Sequence, residues 1–122
     1  MDHRARLKTV EQYLGAKRFD AALFTHSANV RYLCGFTGSS GVLALAQDEW
    51  GFFTDGRYTE QAKAEVVGAR VRAKAKAPVL QATEWLRTRF QRPRQARIAL
   101  EADNITLATQ ARVRSEQENF RG

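Results

Sequence analysis

The chain is poor in the residues from which most active centres are built. It has two histidines, His3 and His26, one cysteine, Cys34, and two prolines. A lone cysteine closes no internal disulfide, which fits a reducing compartment. There is no His-Glu pair at helical spacing and no second cysteine, so no metal-ligand set is visible. The phosphate-cradling pattern Gly-x-x-x-x-Gly-Lys is missing too. No apolar run approaches the roughly 20 residues that cross a bilayer. Residues 1–13 are charged and hold no apolar signal-peptide core. These absences predict a cytoplasmic protein that does not span a membrane. With no repeat, low-complexity tract or Pro/Gly/Ser linker, residues 1–122 read as a single domain.

What is present is an alternation of helical and extended patterns, the signature of a layered α/β domain. Leu7, Val10 and Leu14 lie at helical spacing, and Gly15 is placed to stop that helix. Ala21, Ala22, Leu23 and Phe24 suit a buried strand. Ser27 can cap a short helix carrying Val30, Leu33 and Cys34, which Gly35 can end. Stretches 42–46 and 50–54 flank the polar Gln47-Asp48-Glu49 and predict a hairpin. A helix is expected over 57–67. Arg70, Arg72, Lys74 and Lys76 alternate with small or apolar residues, which puts all four charges on one face of a strand, read as a solvated face near a sheet edge or, alternatively, as a phosphate-binding stripe. Pro78 can open a helix with Val79, Leu86 and Phe90 on one side. A last strand over 97–100, a turn over 101–104 and a helix over 105–117 complete the pattern.

The net charge is +7, from 20 Lys+Arg against 13 Asp+Glu. Such a balance can serve nucleic acid or an acidic protein surface. The positive charges are spread along the chain with no dense basic tail, so nucleic acid is not the expected partner. Around Ser39 the sequence reads Thr37-Gly38-Ser39-Ser40-Gly41, which lacks the first glycine of a nucleophile elbow. His3 is expected at a frayed terminus and His26 in a structural role. Asp48, Asp55, Glu101 and Asp103 are the carboxylates a two-metal site would need. Their positions favour a turn for Asp48, a helix cap for Asp55 and a helix-dipole role for Asp103.

Two segments in combination resemble a known family. The run Asn29-Val30-Arg31-Tyr32-Leu33-Cys34-Gly35-Phe36-Thr37-Gly38-Ser39-Ser40-Gly41 is similar to an N-x-R-Y-L-x-G-F-x-G-S-x-G segment of bacterial Xaa-Pro peptidases. The run Thr54-Asp55-Gly56-Arg57-Tyr58-Thr59-Glu60-Gln61-Ala62 is similar to their T-D-G-R-Y-x-x-Q-A segment. The chain thus resembles the N-terminal domain of the creatinase, prolidase and aminopeptidase P family from about Arg4 to Phe120. The resemblance implies a mixed sheet of about five strands flanked by helices, loosely like ribonuclease H. It implies a separate C-terminal catalytic domain of pita-bread shape, absent from this chain, where two divalent metals, commonly manganese, serve hydrolysis before proline. No metal ligand carries over, so this chain alone is expected to be inactive. The domain would help form a homodimer and gate the proline-containing peptide substrate.

Substrate-rim candidates are the loop residues Phe36, Thr37, Gly38, Ser39 and Ser40. Phe36 would pack on the substrate, while Thr37 and Ser39 would hydrogen-bond it. Arg57 and Tyr58 form a second pair, with Arg57 clamping a carboxylate or else an ion pair within the domain. The alternatives are a stand-alone interaction module of the same fold, as in a histone-chaperone subunit, and the N-terminal domain of a creatinase-like amidinohydrolase.

Overall fold

In a computed structural model of the protein, the residues described are 2–90 and 96–101. The expected turn residues 102–104 and helix over 105–117 lie outside them. Helix α1 (His3–Ala16) is followed by β1 (Ala21–Phe24), α2 (Ser27–Cys34) and the hairpin β2 (Gly41–Ala46) and β3 (Glu49–Thr54). A 3-10 turn (Gly56–Tyr58) leads into α3 (Thr59–Glu65), then β4 (Arg70–Ala73), α4 (Pro78–Arg89) and β5 (Ile98–Leu100). The strands form one mixed sheet in the order β4-β3-β2-β1-β5. The β1–β2 and β2–β3 pairs are antiparallel, and the β1–β5 and β3–β4 pairs are parallel. The five-stranded mixed sheet with flanking helices matches the expected fold class.

The hairpin explains the layering. β2 and β3 are buried at nearly every position, so their alternating side chains feed two cores. Leu43, Leu45, Trp50 and Phe52 join Leu7, Val10 and Leu14 of α1 and Val30 and Leu33 of α2. Val42, Ala44, Ala46 and Phe53 point the other way, against Ala82, Trp85 and Leu86 of α4. Small residues on that face, Ala44, Ala46 and Gly51, let α4 lie close to the strands. The hairpin turn holds two residues, because Ala46 already pairs with Glu49. Gln47 takes a φ of 57° there.

Four local expectations give way to tertiary structure. First, α1 runs past Gly15 to Ala16. It closes with Arg18 in the left-handed region at φ 64°. The Phe19 N–H reaches the Leu14 carbonyl at 2.9 Å and the Arg18 N–H reaches Gly15 at 3.1 Å, a Schellman closure. Second, the basic stripe divides. Arg70 and Arg72 lie in β4, but Lys74 and Lys76 lie beyond its end. Third, α4 buries Gln81, Ala82, Trp85 and Leu86, while Val79 and Leu80 are 44% and 55% exposed. The indole and the amide outcompete Val79 because they sit over Phe53 and the end of β3. His3 is not frayed either: it belongs to α1, and its Nδ1 lies 3.2 Å from the Tyr32 carbonyl oxygen.

Glu101 ties the sheet to α2. Ser27 does not cap that helix; the cap position is His26, with no side-chain cap bond of its own. Instead the Glu101 carboxylate accepts from the Thr25 N–H at 2.6 Å, the Thr25 hydroxyl at 3.0 Å, the His26 N–H at 3.0 Å and the Asn29 amide at 2.7 Å. An anion beside the positive end of the helix also favours its dipole. Removing such an acceptor strands backbone donors. We predict that Glu101→Ala lowers stability by about 2–3 kcal/mol, and Glu101→Gln by less. Urea unfolding with an unchanged denaturant slope checks this; equal midpoints for Glu101→Ala and wild type would refute it.

Candidate functional site

The 35–41 loop is built on an aromatic floor. Gly35 ends α2 at φ 89°, where a side chain would be strained and would meet the Glu65 carbonyl oxygen and His3 Nε2, each at 3.1 Å. Phe36 then drops into the core, 1% exposed. Its ring lies 4.7 Å from that of Phe52, and the Tyr58 ring meets it edge-on at 6.1 Å. A Cβ at Gly38 would stand 2.5 Å from Phe36 Cζ, and one at Gly41 would stand 2.5 Å from Phe52 Cζ. Both glycines are therefore steric requirements of the floor.

Two carboxylates brace the sides of the loop. Glu65 of α3 accepts from the Thr37 N–H at 2.8 Å and from the Thr37 hydroxyl, while Gln61 donates to both Thr37 and Glu65. These donors, the Thr37 N–H first, hold the Glu65 carboxyl below the usual carboxylate range. On the other side Asp55 accepts from the Ser40 hydroxyl at 3.2 Å, from the Arg57 N–H at 2.9 Å and from the Arg57 guanidinium at 3.0 and 3.2 Å. The Arg57 guanidinium is the main cause that brings Asp55 down from 3.8 to about 2. Ser39 lies 3.2 Å from the Tyr58 hydroxyl, and the Thr54 hydroxyl donates to the Ser40 carbonyl. The buried Cys34 thiol, just before the loop, is pushed up to about 11 by desolvation.

The seven rim candidates thus converge into one cluster, though not with the roles expected of each. Phe36 supports the loop from beneath, and its ring offers no outer surface. Arg57 has its two-pronged grip on Asp55, so the ion pair within the domain is what forms; its side chain is otherwise 74% exposed. Thr37 and Ser39 are exposed, and Ser40 and Tyr58 half-buried. Sequence reasoning missed Gln61 and Glu65, and weighed Glu101 only as a member of a metal pair. The i, i+4 spacing of Gln61 and Glu65 on α3 was the one signal that could have found them. Of the carboxylates considered for a metal pair, Asp48 and Asp55 sit at opposite ends of β3, and Asp103 lies outside the described residues. Among the described residues no three His, Cys, Asp or Glu side chains group to hold a metal ion. Nor is any helix of the described residues long and apolar enough to cross a membrane.

Residues 6–120 match the model of the Creatinase/Prolidase N-terminal domain, and the chain belongs to that family. It is 42% identical over 66 residues, 54% of its length, to the uncharacterized peptidase YqhT of Bacillus subtilis (strain 168). It spans 19% of that relative. A Xaa-Pro aminopeptidase structure from Streptococcus pyogenes superposes with a TM-score of 0.70 at 26% identity, over 89% of this chain and 80% of that one. The X-prolyl aminopeptidase of Caenorhabditis elegans, described as a cytosolic enzyme with a di-nuclear active site, shares the fold: TM-score 0.65 and 20% identity over 91% of this chain and 22% of that one.

Both bracing carboxylates have folded-state pKa values below their ordinary ones. Their contribution is complete above the ordinary carboxylate range and is lost as pH falls through the folded values. For Asp55 the window runs from 3.8 down to about 2. We expect the Asp55 carboxyl carbon to titrate near pH 2 by NMR, and to return toward 3.8 in Arg57→Ala. An unshifted titration in the wild-type chain would contradict this geometry.

Proposed function

We propose that the chain serves as the non-catalytic N-terminal domain of a metal-dependent, cytoplasmic Xaa-Pro peptidase, and that its 36–40 loop, with Arg57 and Tyr58, forms part of the rim of the substrate site. The observation that supports this most is the construction of the loop. Its floor is locked by Phe36 and Phe52 and its sides by Asp55 and Glu65, while Thr37 and Ser39 themselves are exposed. A braced loop can present hydrogen-bonding groups to a peptide without losing much conformational freedom on binding.

In this reading a catalytic domain beyond residues 1–122 holds two divalent metals, manganese in our assignment, and supplies the hydrolytic chemistry. The N-terminal domain takes part in a homodimer and limits the length of the proline-containing peptide admitted. The cytosolic, di-nuclear description of the Caenorhabditis elegans enzyme supports the first part by kinship of fold. Ser39 and Thr37 would bond the polar ends of the peptide, Ser40 and Gly38 would set the loop's path, and Phe36 would act from below.

Two outcomes are expected. In the intact peptidase, Ser39→Ala changes kcat/KM for a dipeptide and for a longer Xaa-Pro peptide by different factors, about three- to tenfold apart, with little change in melting temperature. A uniform loss on all substrates that tracks a falling melting temperature would reject the rim assignment. The 122-residue chain by itself, purified free of host peptidases, turns over no Xaa-Pro peptide with manganese added; steady turnover would show that the domain carries its own catalytic centre.

A further inference from the structure

On the face of the sheet opposite the 35–41 loop's aromatic floor, β4 and α4 border a cleft of about 270 Å³ whose walls include Arg72, Lys74, Gln81, Glu84 and Trp85. Among the described residues, the buried side-chain polar atoms without a hydrogen-bond partner are Arg72 Nε, Gln81 Oε1 and Trp85 Nε1. All three belong to residues of this one cleft. Buried polar atoms are paired in the great majority of cases, so three orphans on residues that line one cleft point to a missing partner.

Their chemistry defines that partner. Gln81 is 5% exposed, and its amide nitrogen is committed to the carbonyls of Thr54 at 2.9 Å and Lys76 at 2.8 Å. That commitment fixes the amide's orientation and leaves Oε1 as an acceptor. Trp85, one turn further along α4 and 8% exposed, has an indole N–H that can only donate. Arg72 contributes a second donor, its Nε–H.

The charge here is also unbalanced toward positive. Glu49 lies 2.5 Å from Arg89 and 3.7 Å from Arg72, so one carboxylate serves two guanidinium groups. Glu84 is turned to Lys76 at 3.0 Å, and Lys74 has no carboxylate among the ion pairs of the described residues. Desolvation, with Arg70 and Arg89 nearby, lowers the proton affinity of Arg72, as expected of a cation short of counter-charge.

We propose that this cleft binds a small oxyanion that carries a hydrogen-bond donor beside it. Its oxygens accept from Arg72 Nε–H and Trp85 Nε1–H, and its donor meets Gln81 Oε1. Hydrogen phosphate has this pattern, as does a peptide's C-terminal carboxylate with the amide N–H of the same residue. Lys74 adds attraction at the mouth. The Arg72 guanidinium lies 5.7 Å from the indole centroid, with its side chain 28% exposed, so it is the group that moves to admit the ligand. The site does not depend on the rim function of the loop.

The test is an NMR titration of the 122-residue chain, which has two indole N–H signals, from Trp50 and Trp85. The probes are inorganic phosphate, N-acetylglycine and, as a carboxylate without a donor, acetate. We expect the Trp85 signal to shift saturably with phosphate or N-acetylglycine while Trp50, whose indole N–H is held by Glu11 at 2.6 Å, stays in place. Tighter binding of phosphate identifies a phosphate-bearing ligand, and tighter N-acetylglycine a peptide terminus. Arg72→Gln should weaken either by about tenfold or more.

The proposal is overturned if no probe shifts Trp85 saturably, if Arg72→Gln binds as well as wild type, or if acetate binds as tightly as the tighter of phosphate and N-acetylglycine. If Arg72→Gln fails to fold, seen as loss of the Trp50 signal, the wild-type titration against rising potassium chloride decides. Binding that salt weakens supports the site, and binding indifferent to salt overturns it.

Discussion

The contact between the rings of Phe36 and Phe52 is the constraint on which the candidate site depends. Phe52 belongs to the central hairpin and cannot move without disturbing the core shared with α1 and α2. Phe36, seated on it, fixes where the chain leaves α2 and where it enters β2. Only glycine fits at 38 and 41, because each Cβ position is already filled by one of these rings. The backbone is then held so close to the floor that its polar groups must find partners at the sides. Asp55 and Glu65 stand there because the 3-10 turn and α3 follow directly from β3, whose Thr54 pairs with Gly41. Packing in the core thus decides the geometry of hydrogen bonds at the surface.

Much of this architecture is legible in the amino-acid sequence. The short apolar runs of β2 and β3, the helix spacing of Leu7, Val10 and Leu14, and Pro78 at the start of α4 follow from local stereochemistry, and the elements form where those patterns put them. The positions that escape are those where a distant residue decides. Glu101 reaches back across more than 70 residues to accept from the donors at the start of α2, where Ser27 was expected to act. Arg18, not Gly15, takes the left-handed φ, because Leu14 and Phe19 are both needed in the core and the Schellman closure brings them together. Val79 reads as core by spacing alone, yet the space over Phe53 goes to Trp85. At the site, the sequence locates the loop and the Arg57–Tyr58 pair but not how they share the work. Whether an aromatic residue beside two glycines faces in or out depends on a ring 16 positions away, Phe52, and no local pattern encodes that.

The two faces of the sheet carry different chemistry. On the loop side the carboxylates are saturated with donors, the Thr37 and Ser40 hydroxyls among them. On the α4 side donors and an acceptor are buried without partners, and cations outnumber the anions that serve them. The division follows from β3, whose alternate residues Phe52 and Phe53 look to opposite faces. One strand therefore positions both the floor of the loop and the wall of the basic cleft, and a distortion of β3 would be felt at both.

The state of the carboxylates bears on what kind of work the loop side can do. Lone pairs on Asp55 are taken by Arg57 and Ser40, those on Glu65 by Thr37 and Gln61, and those on Glu101 by Thr25, His26 and Asn29. A carboxylate so engaged is a poor base and a poor metal ligand, since either role requires it to give up bonds that fix the backbone. For Asp55 and Glu65 the depressed proton affinity says the same thing in another form, because each is already stabilised as an anion by its own neighbours. The acidic groups of this cluster spend their charge on shape. Their bonds hold the backbone of the loop and of the start of α2 in a chain that belongs to the Creatinase/Prolidase N-terminal domain family.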